Sequence, residues 1–238
     1  MEENIDSLKN LLEKVGNEYA YKKICELNNE EINEYNRLLK IFKLTNSNTT
    51  VSNNEKGIAL EELATYTIRM THVFDIYKNI RTSTNELDQL VRICDNQRML
   101  IGLKVIDDRL MNFIGECKNY QGRVPVTYVG KVCSLLSTTQ NKICILFSYN
   151  GVTGENWNES SGLIKKFYLS KENMKERFCI LDFNIRDFER IASGDNFLQI
   201  IEDKIMALKI DTDYSNLLTN HEASVEILEA QRGGFFEI

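Results

Sequence analysis

Three charged side chains of opposite sign stand inside apolar runs. Asp88 lies in Asn85-Glu86-Leu87-Asp88-Gln89-Leu90-Val91, and Glu116 and Lys118 lie in Phe113-Ile114-Gly115-Glu116-Cys117-Lys118-Asn119-Tyr120. Both runs read as strands. Side chains two apart on a strand share a face, so Glu116 and Lys118 point the same way, roughly 6 to 7 Å apart. Burying a carboxylate is costly unless it is paired or metal-bound. Acids and a lysine gathered in this way suit phosphodiester hydrolysis, which needs an activated water, a metal to lower that water's pKa and a positive charge for the phosphate. Mg²⁺ (or Mn²⁺) prefers carboxylate oxygens and water. Asp88 and Glu116 would supply two ligands and the Cys117 carbonyl a third, with Lys118 orienting water or neutralising the phosphate. Glu61, from a helix upstream, would complete a second metal position or hold a water. Two carboxylates this close raise each other's pKa, and a metal or Lys118 reverses that.

The elements that must position these groups follow from periodicity. Residues 5–46 read as helices, with an apolar stripe at Ile5, Leu8, Leu11, Leu12 and Val15, continued by Cys25, Leu27, Ile32, Leu38, Leu39, Ile41 and Phe42. Asn28-Asn29 breaks the stripe, and Glu30 and Glu31 suit a new helix start. The polar stretch 46–54 is the best boundary in the chain. A helix over 57–70 carries Ile58, Leu63, Ala64 and Ile68, with Glu61 bordering that stripe. A strand over 72–81 turns at 82–85 into the Asp88 strand. Residues 95–112 read as irregular, and the segment 96–112 is the constraint on the site, since it must let the Asp88 and Glu116 strands lie side by side. Pro125, the single proline, fits the first turn of a helix running to about Thr138, with Val129, Val132, Cys133 and Leu136 buried. Ile143–Phe147 is a continuous apolar run of buried-strand type. A turn-rich loop over 148–154, a helix over 160–169, a strand over 178–183 and mostly helix over 185–209 follow. The order predicts an α/β core of mixed sheet with helices on its faces.

Taken together, these residues resemble the PD-(D/E)xK restriction-endonuclease-like superfamily, closest in flavour to its Mrr-like group. Lys56-Gly57-Ile58-Ala59-Leu60-Glu61 resembles the family's opening helix, Glu86-Leu87-Asp88 its first metal strand, and Gly115-Glu116-Cys117-Lys118-Asn119-Tyr120 its Glu-x-Lys strand. Val126–Leu136 resembles the helix that follows, and residues 143–154 the next strand and turn. The resemblance covers about residues 56–170. It implies Mg²⁺-dependent DNA cleavage in prokaryotic restriction or phage defence, with Asp88 and Glu116 as metal ligands and Lys118 as the catalytic lysine. Leu87 stands where the family often has proline, and Glu86 is an extra acid sharing a face with Asp88. The implied organisation is an N-terminal helical region over 1–50, a restriction-endonuclease-like nuclease domain over 55–210 and an acidic tail over 211–238. The helical region and the tail match nothing in the family pattern.

Composition bounds the alternatives. Net charge is −6, which argues against a general nucleic-acid binder, but residues 104–169 are locally basic. Six cysteines without CxxC pairing read as reduced thiols of a cytoplasmic protein rather than a zinc site. Two histidines, His72 and His221, leave little histidine chemistry, and Cys133 with His72 has no support as a nucleophile pair. Gly151 and Gly154 read as a strand-to-helix turn, since no GKS or GKT follows. Trp157, Lys165 and Lys166 read as a solvated face rather than a backbone contact, and the end at Gly233-Gly234-Phe235-Phe236 as a terminus rather than a docking tail. No run is long and apolar enough for a membrane span. Two other readings stay open: a non-catalytic binding or assembly module on the same fold, with the N-terminal helices as partner surface, and an RNA- or junction-cleaving nuclease. Double-strand cutting would need two sites, hence a homodimer.

Overall fold

The computed structural model describes residues 24–81, 86–154, 159–173 and 176–210. Asn28 caps the first described helix, α1 (Asn29–Ser47). Its side chain accepts from the Glu31 amide while Glu31 reaches back to the Asn28 amide, each at 2.9 Å. This reciprocal box satisfies two donors that a helix start leaves open and is worth about 1 kcal/mol. Ser52 and Glu55 repeat the device at α2 (Asn53–Arg69). The polar stretch expected to be a boundary is therefore the end of α1, a short connection and the start of α2. Tyr35, Leu38, Leu39 and Phe42 of α1 enter the same core cluster as the sheet, and the Tyr35 hydroxyl donates to the Phe188 carbonyl at 2.8 Å. The expected stripe from Ile5 to Val15, the turn at 82–85, Trp157 and everything from 211 onward lie outside the described residues.

Five strands follow in sequence order: β1 (Phe74–Arg81), β2 (Glu86–Ile93), β3 (Asn112–Cys117), β4 (Ile143–Phe147) and β5 (Cys179–Phe183). β1, β2 and β3 are antiparallel neighbours; β3, β4 and β5 are parallel. Each parallel step is a right-length crossover through a helix: α3 (Val126–Thr139) before β4 and α4 (Ser160–Leu169) before β5. Helices α5 (Ile185–Ala192) and α6 (Phe197–Ile210) close the described chain, divided at Ser193-Gly194 where one mostly helical stretch was expected.

Strand alternation sorts the core onto two faces. Ile143, Ile145 and Phe147 of β4 join α1, α2, α5 and α6 on one side, while Cys144 and Leu146 join α3 on the other. That two-sided cover is why the run reads as unbroken apolar sequence. The segment expected to be irregular between β2 and β3 is packed by Leu100, Ile101, Val105, Ile106 and Leu110, with short helical turns along it. On α3, Pro125 is the cap rather than the first helical residue, and Leu135 is buried where Cys133 was expected and is only half-buried. All six cysteines are free. No helix among the described residues is long and apolar enough to cross a membrane.

Candidate active site

Register brings the three charged groups together. Gln89 pairs with Gly115 across β2 and β3, so Asp88 and Glu116 stand opposite each other one step further along. On the other side of β2, Lys78 pairs with Gln89 and Ile80 with Leu87, and the ladder skips Asn79, whose φ is 52°. The sheet is thus interrupted beside Asp88. Past the end of β3, the Lys118 amide donates to the Phe147 carbonyl at 2.8 Å, which fixes Lys118 at the carboxyl ends of the parallel strands.

Asp88 Oδ2 accepts from the Cys117 amide at 2.9 Å and from Lys118 Nζ at 2.8 Å. Lys118 Nζ lies 3.5 Å from Glu116 Oε2. Glu116, 5% exposed in its side chain, also accepts from the Tyr128 hydroxyl at 2.6 Å and weakly from the Asp88 amide at 3.4 Å. Burial, and then the charge of Asp88, hold the Glu116 carboxyl above the usual carboxylate range, opposed by Tyr128 and Lys118. Burial works against the charged form of Lys118, but its bond to Asp88 and the charges of Asp88 and Glu116 outweigh it and raise its pKa. Lys118 Nζ also lies 5.2 Å from the centre of the Tyr128 ring, within cation–π range.

Tyr128 was not singled out from the sequence. It lies in the first turn of α3, next to the buried Val129, and its aromatic body and polar tip match a place at the margin of a core. Gln89 and Thr65 form a second connection missed from sequence. Gln89, buried opposite Gly115, donates to Thr65 Oγ1 at 3.0 Å, and Thr65 donates to the Glu61 carbonyl at 2.6 Å. This links the strand carrying Asp88 to the helix turn carrying Glu61.

The remaining predicted residues separate. Glu61 sits on an exposed stretch of α2. Partial burial and the Asp88 charge raise its pKa, with Lys78 and Lys118 acting the other way. It feels the site's field without bonding to Asp88, Glu116 or Lys118. The Cys117 thiol is buried on the opposite face, its pKa pushed well up by burial, so only backbone groups of Cys117 face the site. Glu86 lies 3.6 Å from Arg81 at an exposed position. His72 pairs with Glu31 at 2.9 Å, and burial lifts the Cys133 thiol to about 11.

Among the described residues, no group of three or more His, Cys, Asp and Glu side chains is placed to hold a metal ion. Two opposed carboxylates and a nearby carbonyl are a donor set of hard oxygens, the kind Mg²⁺ takes when it keeps several waters and a substrate phosphate. The crowding of Glu116 by Asp88 favours an added cation in the same way. No family model, curated protein or solved structure matches this chain.

Proposed function

We propose that this chain is a metal-dependent endonuclease of restriction-endonuclease-like type that hydrolyses DNA phosphodiester bonds, acting in the cytoplasm in restriction or phage defence. The observation that carries the reading is the meeting of Lys118 Nζ with Asp88 at 2.8 Å and Glu116 at 3.5 Å across two adjacent strands. Asp88, Glu116 and the Cys117 carbonyl would hold Mg²⁺ or Mn²⁺, with Glu61 completing a second position. When bound, that ion would supply Lewis acidity and a water of lowered pKa. Lys118, held at the site by Asp88, presents a positive charge for the phosphate, and a preorganised charge costs no rearrangement at the moment of reaction. Tyr128 fixes the Glu116 carboxylate. Cutting both strands would take two such sites, hence a homodimer or a partner engaged through the N-terminal helices.

The test is cleavage of duplex DNA, single-stranded DNA, branched DNA and RNA by the full chain, with Mg²⁺, Mn²⁺ or EDTA, beside Glu116→Gln and Lys118→Met. DNA cleavage that needs the ion and falls at least about a hundredfold in both variants supports the reading. Equal cleavage by the variants overturns it, and a preference for RNA or junctions reassigns the substrate. One observation favours a second reading, a non-catalytic binding module: Lys118 already neutralises Asp88. Calorimetry that finds no divalent binding lost in Asp88→Asn or Glu116→Gln would select it.

A further inference from the structure

Across the 118–120 segment from the charged cluster, a recess of about 180 Å³ opens between the ends of α1 and α2 and the loops after β3 and β4. Its lining is unusual for an acidic protein. Five of the lining residues are amides: Asn46, Asn53, Asn119, Gln121 and Asn150. Lys56 is the one charged residue in the lining, and none is acidic.

Two tyrosines complete the wall, Tyr120 and Tyr149. Each is supported edge-on by another ring, Tyr120 by Tyr128 at 6.3 Å and Tyr149 by Phe42 at 5.2 Å. Tyr120 therefore joins the recess to the same Tyr128 that bonds Glu116. The walls are strapped together by backbone acceptors. Asn119 Nδ2 donates to the Lys56 carbonyl at 2.9 Å, Asn150 Nδ2 to the Gln121 carbonyl at 3.1 Å, and Asn46 Nδ2 to the Phe42 carbonyl at 2.8 Å. A carbonyl can only accept, so these bonds fix which way each amide is turned. Each of these three amides thus has an N–H held by a protein carbonyl, Asn150 Nδ2 also reaching the Gly122 carbonyl at 3.3 Å, and its oxygen turned away from that carbonyl. Asn119 Oδ1 is buried without a hydrogen-bond partner among the described residues, which is costly unless a donor meets it.

We propose that this recess binds one unstacked nucleobase of the nucleic-acid strand whose phosphate lies at Lys118, and that it selects bases bearing an exocyclic amine. The identity of the polymer rests on the nuclease reading; the chemistry of the recess stands apart from it. Tyrosine faces stack on any base. Amide oxygens accept from the amino groups of adenine, cytosine and guanine, which thymine and uracil lack. Lys56 and the absence of acid in the lining suit the attached phosphate.

The test uses the full chain in EDTA, titrated with each of the four deoxynucleoside 5′-monophosphates and with glucose, followed by calorimetry. Amide shifts in ¹⁵N spectra locate the binding. The expected result is that dAMP, dCMP and dGMP bind at least about fivefold tighter than dTMP, with shifts at Asn53, Asn119 and Asn150. Affinity should fall about fivefold or more in Tyr120→Ala and in Asn53→Ala, and stay within about twofold in Lys209→Met, a change at an exposed position outside the recess. Both pocket variants change exposed positions, and circular dichroism checks that each is folded. Equal affinity for dTMP overturns the base selection. Glucose binding as tight as a nucleotide, absence of nucleotide binding, or loss of binding in Lys209→Met alone overturns the pocket. Cleavage that survives with no pocket binding sinks this proposal and leaves the nuclease; pocket binding without any cleavage does the reverse.

Discussion

Replacing Lys118 by Met tests whether the charged cluster is held by its own lysine. At an effective dielectric of about 20, a unit charge 2.8 Å from Asp88 is worth about 6 kcal/mol and one 3.5 Å from Glu116 about 5 kcal/mol, before desolvation. Desolvation offsets most of that, and the side chains of Lys118 and Asp88, 26% and 24% exposed, are partly screened by water. Breaking a fully buried pair costs about 3–5 kcal/mol, so the expected loss here is about 2–3 kcal/mol. For a chain of 238 residues that corresponds to a fall in Tm of about 5–10 °C. The double substitution Asp88→Asn with Lys118→Met carries the decisive information. Removing the Asp88 charge relieves its repulsion with Glu116, so the double variant should be about 1 kcal/mol more stable than Lys118→Met alone. Thermal and urea unfolding of the four proteins, in EDTA so that no divalent ion substitutes for the lysine, completes the cycle. If the two single losses simply add in the double variant, the lysine does not balance these carboxylates and the reasoning fails.

Other consequences can be measured directly. A Cβ at Gly115 would meet Gln89 Oε1 at 2.8 Å, and Gln89 is pinned by Thr65. Gly115→Ala should therefore cost about 1–3 kcal/mol in urea unfolding, and adding Gln89→Ala should recover part of the loss; no recovery would mean the clash lies elsewhere. Burial opposes the charged form of Asp107, but its bonds from Arg109 win and depress its pKa. The stabilisation lost in Arg109→Met should accordingly be constant from about pH 8 to pH 5 and shrink only below about pH 4, as Asp107 protonates in the folded state; a difference that shrinks nearer neutrality contradicts the assignment. Burial lifts the Cys25, Cys133 and Cys179 thiols from 9.0 to about 11. Alkylation of the native chain at pH 8 should thus run about a hundredfold slower at these sites than after unfolding, and mass spectrometry showing rapid labelling of Cys133 would count against it.

The order of elements was legible because each signal is local. The Asn28-to-Glu31 box, the proline before α3 and the unbroken run of β4 each act within a few residues. The pairing of β2 with β3 was the point that local signals could not decide. It holds because Leu100, Ile101, Val105, Ile106 and Leu110 fold the intervening segment onto the core, apolar residues that show no single period. Asp88, Glu116 and Lys118 could be read as one group because strand alternation fixes their faces once the strands pair. Tyr128 could not, since its hydroxyl meets Glu116 only after α3 has docked on the sheet, and helix periodicity names the residues that are buried rather than those at the margin. The Gln89–Thr65 bond was hidden for the same reason, joining residues 24 apart through tertiary packing. The polar 46–54 stretch is a capped connection between two packed helices, which has the composition of a linker.

The bond from Tyr35 to the Phe188 carbonyl spans 153 residues, and this separation sets a timetable during synthesis. At about 5–20 residues per second, α1 leaves the ribosome about 8 to 30 s before its partner on α5 exists. Through that interval Tyr35, Leu38, Leu39 and Phe42 have only α2 and then the early strands to cover them. The nascent chain therefore carries an unfinished apolar seam until its last described helices arrive, and that seam is where a chaperone would have most reason to bind.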